Sequence, residues 1–298
     1  MKVLVAGASG FVGRRLCPAL EKAGHTVLAM TRHPDSYRGA GQVVGADVHD
    51  PVSLRTALDG CASAYYLVHS LNKGDFEQRD ADAARAFARA AADADIGRIV
   101  YLGGLGDDKD ELSAHLRSRR QVESLLASTD VPVTTLRAGI IVGHGGISWE
   151  ITRQLVEHLP LMVTPQWVRT RTQPISIADV VRYLVGVLEL PESSGRIFEV
   201  GGPDVLEYLD MLRRVALIEG RPMLVVPVPM LTPRLSSLWL SVVTNVDVPT
   251  GRALIDSMRN EVIVRDDGIR DLVPFPTTDY DSAVLQALGE RAKLRRAS

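Results

Sequence analysis

Three glycines, Gly7, Gly10 and Gly13, follow the short apolar run Val3 to Val5 in the opening stretch KVLVAGASGFVGRRL. A glycine triplet between a strand-like run and a helix-compatible segment suits phosphate binding. The first glycine permits a sharp turn, the second lets backbone approach a pyrophosphate, and the third lets the helix pack closely on the strand. The first N–H groups of that helix, at the positive end of its dipole, then face the anion. Ser9, Phe11 and Val12 fill the turn and join the three glycines as candidate cofactor-binding residues. Thr31 and Arg32 follow, where a second strand should end. An acidic residue there would pair with the free ribose 2′-hydroxyl of NAD, but no carboxylate occurs before Asp35. Arg32 can instead hold a 2′-phosphate, so NADP is expected ahead of NAD. A solvated loop arginine is the competing reading. Asp47, with Val48 beside it, is placed to accept from an adenine amino group or simply to cap a turn or helix.

These residues need a framework of alternating strands and helices. Strands are expected at Val3 to Val5, Thr26 to Thr31, Gln42 to Ala46, Ala64 to Val68, Ile99 to Leu102 and Val133 to Ala138. Gly24 should end the first helix. Asp50 and Pro51 give an N-cap and a first helical residue for the second, which Gly60 stops. Asp75 with Gln78 reads as a capping box for a helix running to about Asp95, with Phe76, Ala83, Ala84, Phe87 and Ala91 on one face. A helix over Ser113 to Ser128 follows. Continuous apolar strands between helices predict a parallel sheet covered on both faces, that is, a doubly wound α/β (Rossmann) fold. Leu67 and Val68 at the end of the fourth strand and Gly103 at the end of the fifth then fall at the carboxyl edge, where ligands bind in such sheets. His69 and Ser70 are weaker candidates there, for substrate or for capping.

Beyond Gly143 the rhythm changes. Helices are expected at Trp149 to His158, after Ser176 with Asp179 as far as Pro191, near Tyr208 to Glu219, near Thr250 to Arg259 and near Asp279 to Leu288, with one more sheet strand at Arg196 to Val200. The expected division is a dinucleotide-binding domain over 1–145 to which 173–200 returns, and a small substrate or lid subdomain over 146–172 and 201–298. Trp167, Arg169 and Arg171 could recognise an acidic substrate or form a plain exposed strand.

The chain has 298 residues, of which 46% are apolar, and a formal charge of −2. That charge argues against nucleic acid as a partner. The two cysteines, Cys17 and Cys61, suit buried thiols better than a disulfide framework. A single lysine before the first strand predicts no signal peptide, and the thiols point to a reducing, cytoplasmic setting. Leu224 to Val243 is the most apolar late stretch, but Pro227, Pro229, Pro233 and Arg234 argue against a membrane span and for a pocket wall or subdomain core. The basic tail Arg291 to Arg296 is expected to be disordered. No zinc-ligand spacing and no serine nucleophile elbow occurs, so no metal is expected. The oligomeric state is not legible.

GASGFVG at Gly7 to Gly13, Arg32, GADVHDPVSL at Gly45 to Leu54 and LRAGIIVG at Leu136 to Gly143 resemble the extended and atypical short-chain dehydrogenase/reductases. YYLVHS at Tyr65 to Ser70, YLGGLG at Tyr101 to Gly106 and HLRSRRQVE at His115 to Glu123 are similar to the NmrA-like, NAD(P)-binding branch. QPISIADV at Gln173 to Val180 and FEVGGPD at Phe198 to Asp204 extend the likeness over almost the whole chain. The resemblance implies a Tyr-x-x-x-Lys pair and a serine after the fifth strand, the tyrosine giving a proton as hydride reaches a carbonyl. Here His115 and Arg119 stand at the tyrosine and lysine positions, and Gly103 and Gly104 where the serine would be. His115 as proton donor, Arg119 as ribose holder and an apolar carbonyl or quinone-like small molecule as substrate are the resulting expectations, an NADP-dependent oxidoreductase. The alternatives it leaves are a non-catalytic NADP-binding redox sensor and an epimerase or dehydratase.

Overall fold

The computed structural model describes residues 1–69, 75–158, 161–164, 166–227 and 248–297, with side chains left aside at 161–164, 166–167, 226–227, 248–249, 252 and 297. Strand and helix alternate from the first residue: β1 (Lys2–Ala6), α1 (Gly13–Lys22), β2 (Thr26–Thr31), β3 (Gln42–Gly45), α2 (Pro51–Leu58), β4 (Ser63–Tyr66), α3 (Phe76–Asp93), β5 (Ile99–Gly104), α4 (Ala114–Leu126) and β6 (Val133–Ala138). After a short β7 (Ile141–Val142) come α5 (Ile147–His158), β8 (Leu161–Thr164), β9 (Arg171–Thr172), β10 (Ile175–Ser176), α6 (Ile177–Glu189), β11 (Ile197–Val200), β12 (Leu206–Glu207), α7 (Tyr208–Ile218) and β13 (Leu224–Pro227). Helices Val248–Ser257 and Tyr280–Ala297 close the chain.

The central sheet has seven strands in the order β11-β6-β5-β4-β1-β2-β3, every pair parallel. Strand order reverses between β1 and β4, which leaves a crevice at their carboxyl ends. Alternate side chains feed two cores, as a pleated strand requires. Val3, Val5, Tyr65 and Val100 pack with Leu16, Cys17 and Leu20 of α1 and with α6 on one face. Leu4, Ala6, Tyr66 and Tyr101 pack with Leu54 of α2, with Ala84 and Phe87 of α3 and with Val122 of α4 on the other. A third core gathers Trp149 and Leu155 of α5, Leu212 and Val215 of α7, Leu254, and Val284 of the last helix. Cys17 and Cys61 are buried free thiols; burial pushes the Cys17 thiol up to about 11 despite its hydrogen bond to Tyr37.

Caps decide several boundaries. The Asp50 carboxylate accepts from the Val52 amide and Ser113 Oγ from the Leu116 amide, so α2 and α4 start where polar side chains satisfy free N–H groups. The capping box at Asp75 is not formed: Asp75 makes no capping hydrogen bond, and Gln78 turns outward to Asp82. Ser176 caps α6 through the Ala178 amide, but Asp179 is buried and accepts from the Thr278 amide instead of closing a box. Gly103 and Gly104 lie inside β5 rather than beyond it, paired with Arg137 and Ala138. The basic tail is helical to Ala297, because its residues are good helix formers and the Arg291 guanidinium reaches Glu157 at 3.3 Å. Of Leu224 to Val243, only β13 is described, paired parallel with β8; residues 228–243 fall outside the described part. Among the described residues no helix is long and apolar enough to cross a membrane.

Candidate active site

The crevice between β1 and β4 opens into a cleft of about 450 Å³. Gly7, Ser9 and Gly10 form its floor, Thr31 and Arg32 one end, Asp47 and Val48 a side, and Leu67, Val68 and His69 the opposite wall. The glycine loop is built around contacts no side chain would tolerate. Gly7 has φ +91°, and a Cβ there would meet the Leu67 carbonyl oxygen at 2.9 Å. A Cβ on Gly13 would fall onto the Gly7 carbonyl oxygen and lie 2.7 Å from Ala8 Cα, so α1 is pressed against the loop. The amides of Phe11 and Val12 take no acceptor among the described residues, and α1 has no capping side chain and no acidic residue in its first turn. This is an open anion-binding end.

Phe11 and Val12 act from behind the cleft. The Phe11 ring sits where a Cβ of Gly146 would be, 2.7 Å from its Cζ, and the Arg15 guanidinium lies 4.8 Å from its centroid. Arg15 also donates to the Phe11 and His144 carbonyls and to Glu290. The loop is thereby tied to the start of α5 and to the last helix. Arg32 is exposed at the cleft mouth. Asp47 accepts from the His49 amide at 3.0 Å while facing the cleft, so its turn-forming role is satisfied by one oxygen, Oδ1. Arg79 of α3 and His49, which no local motif marks, also line the cleft; Arg79 Nε is buried and unpartnered among the described residues. A cradle shaped by absent Cβ atoms, free amides and two arginines fits a dinucleotide.

A second cavity, about 80 Å³, is lined by His115, Gly104, Leu105, Ala138, Ile140, Ser148, Tyr208 and Met258, among others. His115 is stacked on His69, ring centroids 5.1 Å apart and planes 26° apart, so the imidazole pair stands between the two cavities. Its Nδ1 is buried without a partner among the described residues. Burial, His69 and Arg119 together push the His115 imidazole well below the usual histidine range. Arg119 is buried: its guanidinium lies 4.9 Å over the Tyr101 ring and Nη2 donates to the Leu102 carbonyl, while Nη1 has no partner among the described residues. Arg119 and Gly103 line neither cavity. A Cβ on Gly103 would lie 3.1 Å from the Tyr101 ring, and one on Gly104 2.9 Å from Leu116, so side chains already fill the space a serine would need.

Other candidates are not brought to either cavity. Arg171 is exposed and pairs with Glu261 at 2.8 Å, and Arg169 is exposed at the end of a short 3-10 turn, Gln166–Arg169, rather than on a strand. Trp167 lies in the same turn with its side chain outside the described part, and Ser70 lies wholly outside it. Among the described residues no cluster suits a metal ion.

A family model described as NAD(P)H-binding matches residues 7–191, more than half of the chain. The chain belongs to this NAD(P)H-binding family. An uncharacterized protein of Mycobacterium tuberculosis is 28% identical over 78% of the chain, which spans only a quarter of that relative's length. A (4-alkanoyl-5-oxo-2,5-dihydrofuran-3-yl)methyl phosphate reductase of Streptomyces griseus is 25% identical over 74% of the chain and 75% of its own. The NADPH complex of a quinone oxidoreductase from Escherichia coli superposes with a TM-score of 0.77 at 19% identity, over 97% of this chain and all of that one. At that identity the likeness concerns the fold alone.

Proposed function

We propose that the protein is an NADPH-dependent reductase of an apolar carbonyl or quinone-like molecule, with His115 at the substrate oxygen. The observation that carries this reading is His115 itself, which bears a buried, unpartnered ring nitrogen at a small, largely apolar cavity adjoining the dinucleotide cleft. Gly7, Ser9, Gly10 and the free amides of α1 would hold the pyrophosphate, Arg32 the 2′-phosphate, and Asp47 with Val48 the adenine. A reduced nicotinamide bound there supplies hydride. Leu105, Ile140 and Met258 exclude water from the acceptor, and a neutral His115 offers an N–H to the oxygen as negative charge develops on it. Relatives named reductases support the reductive direction.

A positioned hydrogen-bond donor of this kind is worth about 10²- to 10³-fold in kcat. Turnover with quinones and aldehydes should therefore fall by about that factor in His115→Gln, with NADPH affinity retained. Unchanged turnover would remove His115 from the mechanism. Tight NADPH binding with no oxidation over a broad panel would favour the second reading, a binding protein that reports NADP state, which the filled space at Gly103 and Gly104 also suits.

A further inference from the structure

A buried carboxylate lies behind the imidazole pair and has no part in the reading above. Asp80, on α3, is 2% exposed, and its Oδ2 is 2.6 Å from His69 Nδ1. No other hydrogen bond to the Asp80 side chain occurs among the described residues. Phe76, Asp80, Ala84, Phe87 and Ala91 fall on one face of α3, so a charged group sits within the stripe that packs on β4 and β5. An isolated carboxylate in such a place is costly, and among the described residues this one has a single imidazole partner. The opposite nitrogen, His69 Nε2, is buried and unpartnered among the described residues, and His69 lines the dinucleotide cleft beside the His115 ring.

From this geometry we infer that Asp80 is a positioning residue that holds His69 with Nδ1–H directed at its carboxylate, making Nε2 of His69 the site that delivers the proton in the reduction. This rests on the reductase reading, and divides the labour of the two histidines. His115 has no carboxylate partner among the described residues and, held well below the usual histidine range by burial, offers a hydrogen bond as the neutral ring. His69 has one and can carry the charge.

The step balances. Hydride adds to the carbonyl carbon with its electron pair, and the substrate oxygen takes the Nε2 proton of protonated His69. The ring is left neutral, its Nδ1–H still on Asp80, and regains a proton from water. A carboxylate on one nitrogen stabilises the imidazolium and fixes the tautomer of the neutral ring. Burial, the largest influence, and the Arg119 charge hold the His69 imidazole below the usual histidine range, and Asp80 offsets part of that by favouring the charged form. Among the described residues the groups facing His69 are Asp80 of α3 and Arg119 and His115 of α4, with the buried hydroxyls of Tyr66 and Tyr101 near Asp80; Arg79 also lines the cleft.

The test is long-range ¹H–¹⁵N NMR of the ligand-free full chain with labelled histidine, resonances assigned through His69→Gln and His115→Gln. Neutral His69 should carry its proton on Nδ1, and in Asp80→Asn its titration midpoint should fall by at least one pH unit, a tenfold weaker proton affinity, while that of His115 moves less. A His69 protonated on Nε2 in the wild-type protein, or an unmoved midpoint in Asp80→Asn, overturns the inference without touching the reductase reading. If Asp80→Asn does not fold, the wild-type tautomer alone decides. With turnover in hand, the basic limb of the kcat/KM profile should move to lower pH in Asp80→Asn. A lower plateau with the limb unmoved would mean that Asp80 is structural only.

Discussion

Arg32 and Arg79 illustrate how little a residue type says before its neighbours are known. Arg32 follows β2 and is exposed at the cleft mouth, where the cost of holding it in place is small and a 2′-phosphate would find it. Arg79 sits across the cleft with a buried, unpartnered Nε. A hydrogen bond to a charged group contributes about 1.5–3 kcal/mol, so Arg32→Ala should weaken NADPH by roughly 10- to 100-fold. NADH, lacking the phosphate, should bind as before. Fluorescence titration with both nucleotides decides it; equal loss of the two would mean that Arg32 shapes the loop instead of reading the phosphate.

At the scale of elements, the β1 to α1 junction depends on two backbones approaching closely. A methyl on Gly13 has no flexible neighbour to push aside, only the Gly7 carbonyl and Ala8 backbone. Gly13→Ala should therefore cost at least the roughly 1–3 kcal/mol typical of overpacking, and should displace the loop so that NADPH and NADH weaken together. Gly24 is the contrasting case. It also needs positive φ, +87°, but a Cβ there meets nothing within 4 Å. Gly24→Ala should cost only about 1–2 kcal/mol of conformational strain and leave nucleotide binding intact. Thermal melts and titrations on both variants separate the two roles, and equal effects on binding would refute the distinction.

Across the whole molecule, the site is assembled from parts far apart in sequence. The glycine loop is anchored through Arg15 to Glu290 of the last helix, and the second cavity takes a wall from Leu254 and Met258. Burying the imidazole pair in this assembly couples it to stability. The folded-state pKa of His115 lies well below the unfolded value of 6.5, so the neutral ring contributes stability that is fully present above 6.5. That contribution is lost as pH falls from there through the folded value, because the unfolded chain takes up the proton first. Melting temperature should drop as pH is lowered from about 7 to about 5, and His115→Gln should flatten that slope. A variant whose melting profile ran parallel to the wild type's would show that other groups govern the acid side.

Much of this was written in local pattern. Apolar runs of strand length, the glycine spacing, Asp50 before Pro51 and Ser113 before its helix act over a few residues, where sterics and capping decide, so the seven-stranded doubly wound sheet and the tight glycine loop after β1 were legible. Asp80 was legible in principle, as the one carboxylate spaced with Phe76, Ala84 and Phe87 on an apolar stripe. What it does was not, because its partner His69 belongs to another element and their 2.6 Å contact exists only after α3 packs on the sheet. The same holds for the His69 and His115 stack, for the space at Gly103 and Gly104 taken by Tyr101 and Leu116, and for Arg171, which a single exposed carboxylate, Glu261, holds away from the site. By itself the sequence determined the fold and the glycine loop at the head of its crevice. Only tertiary packing decided which polar groups are buried together, because burial and partnership, not residue type, set their charge and their chemistry.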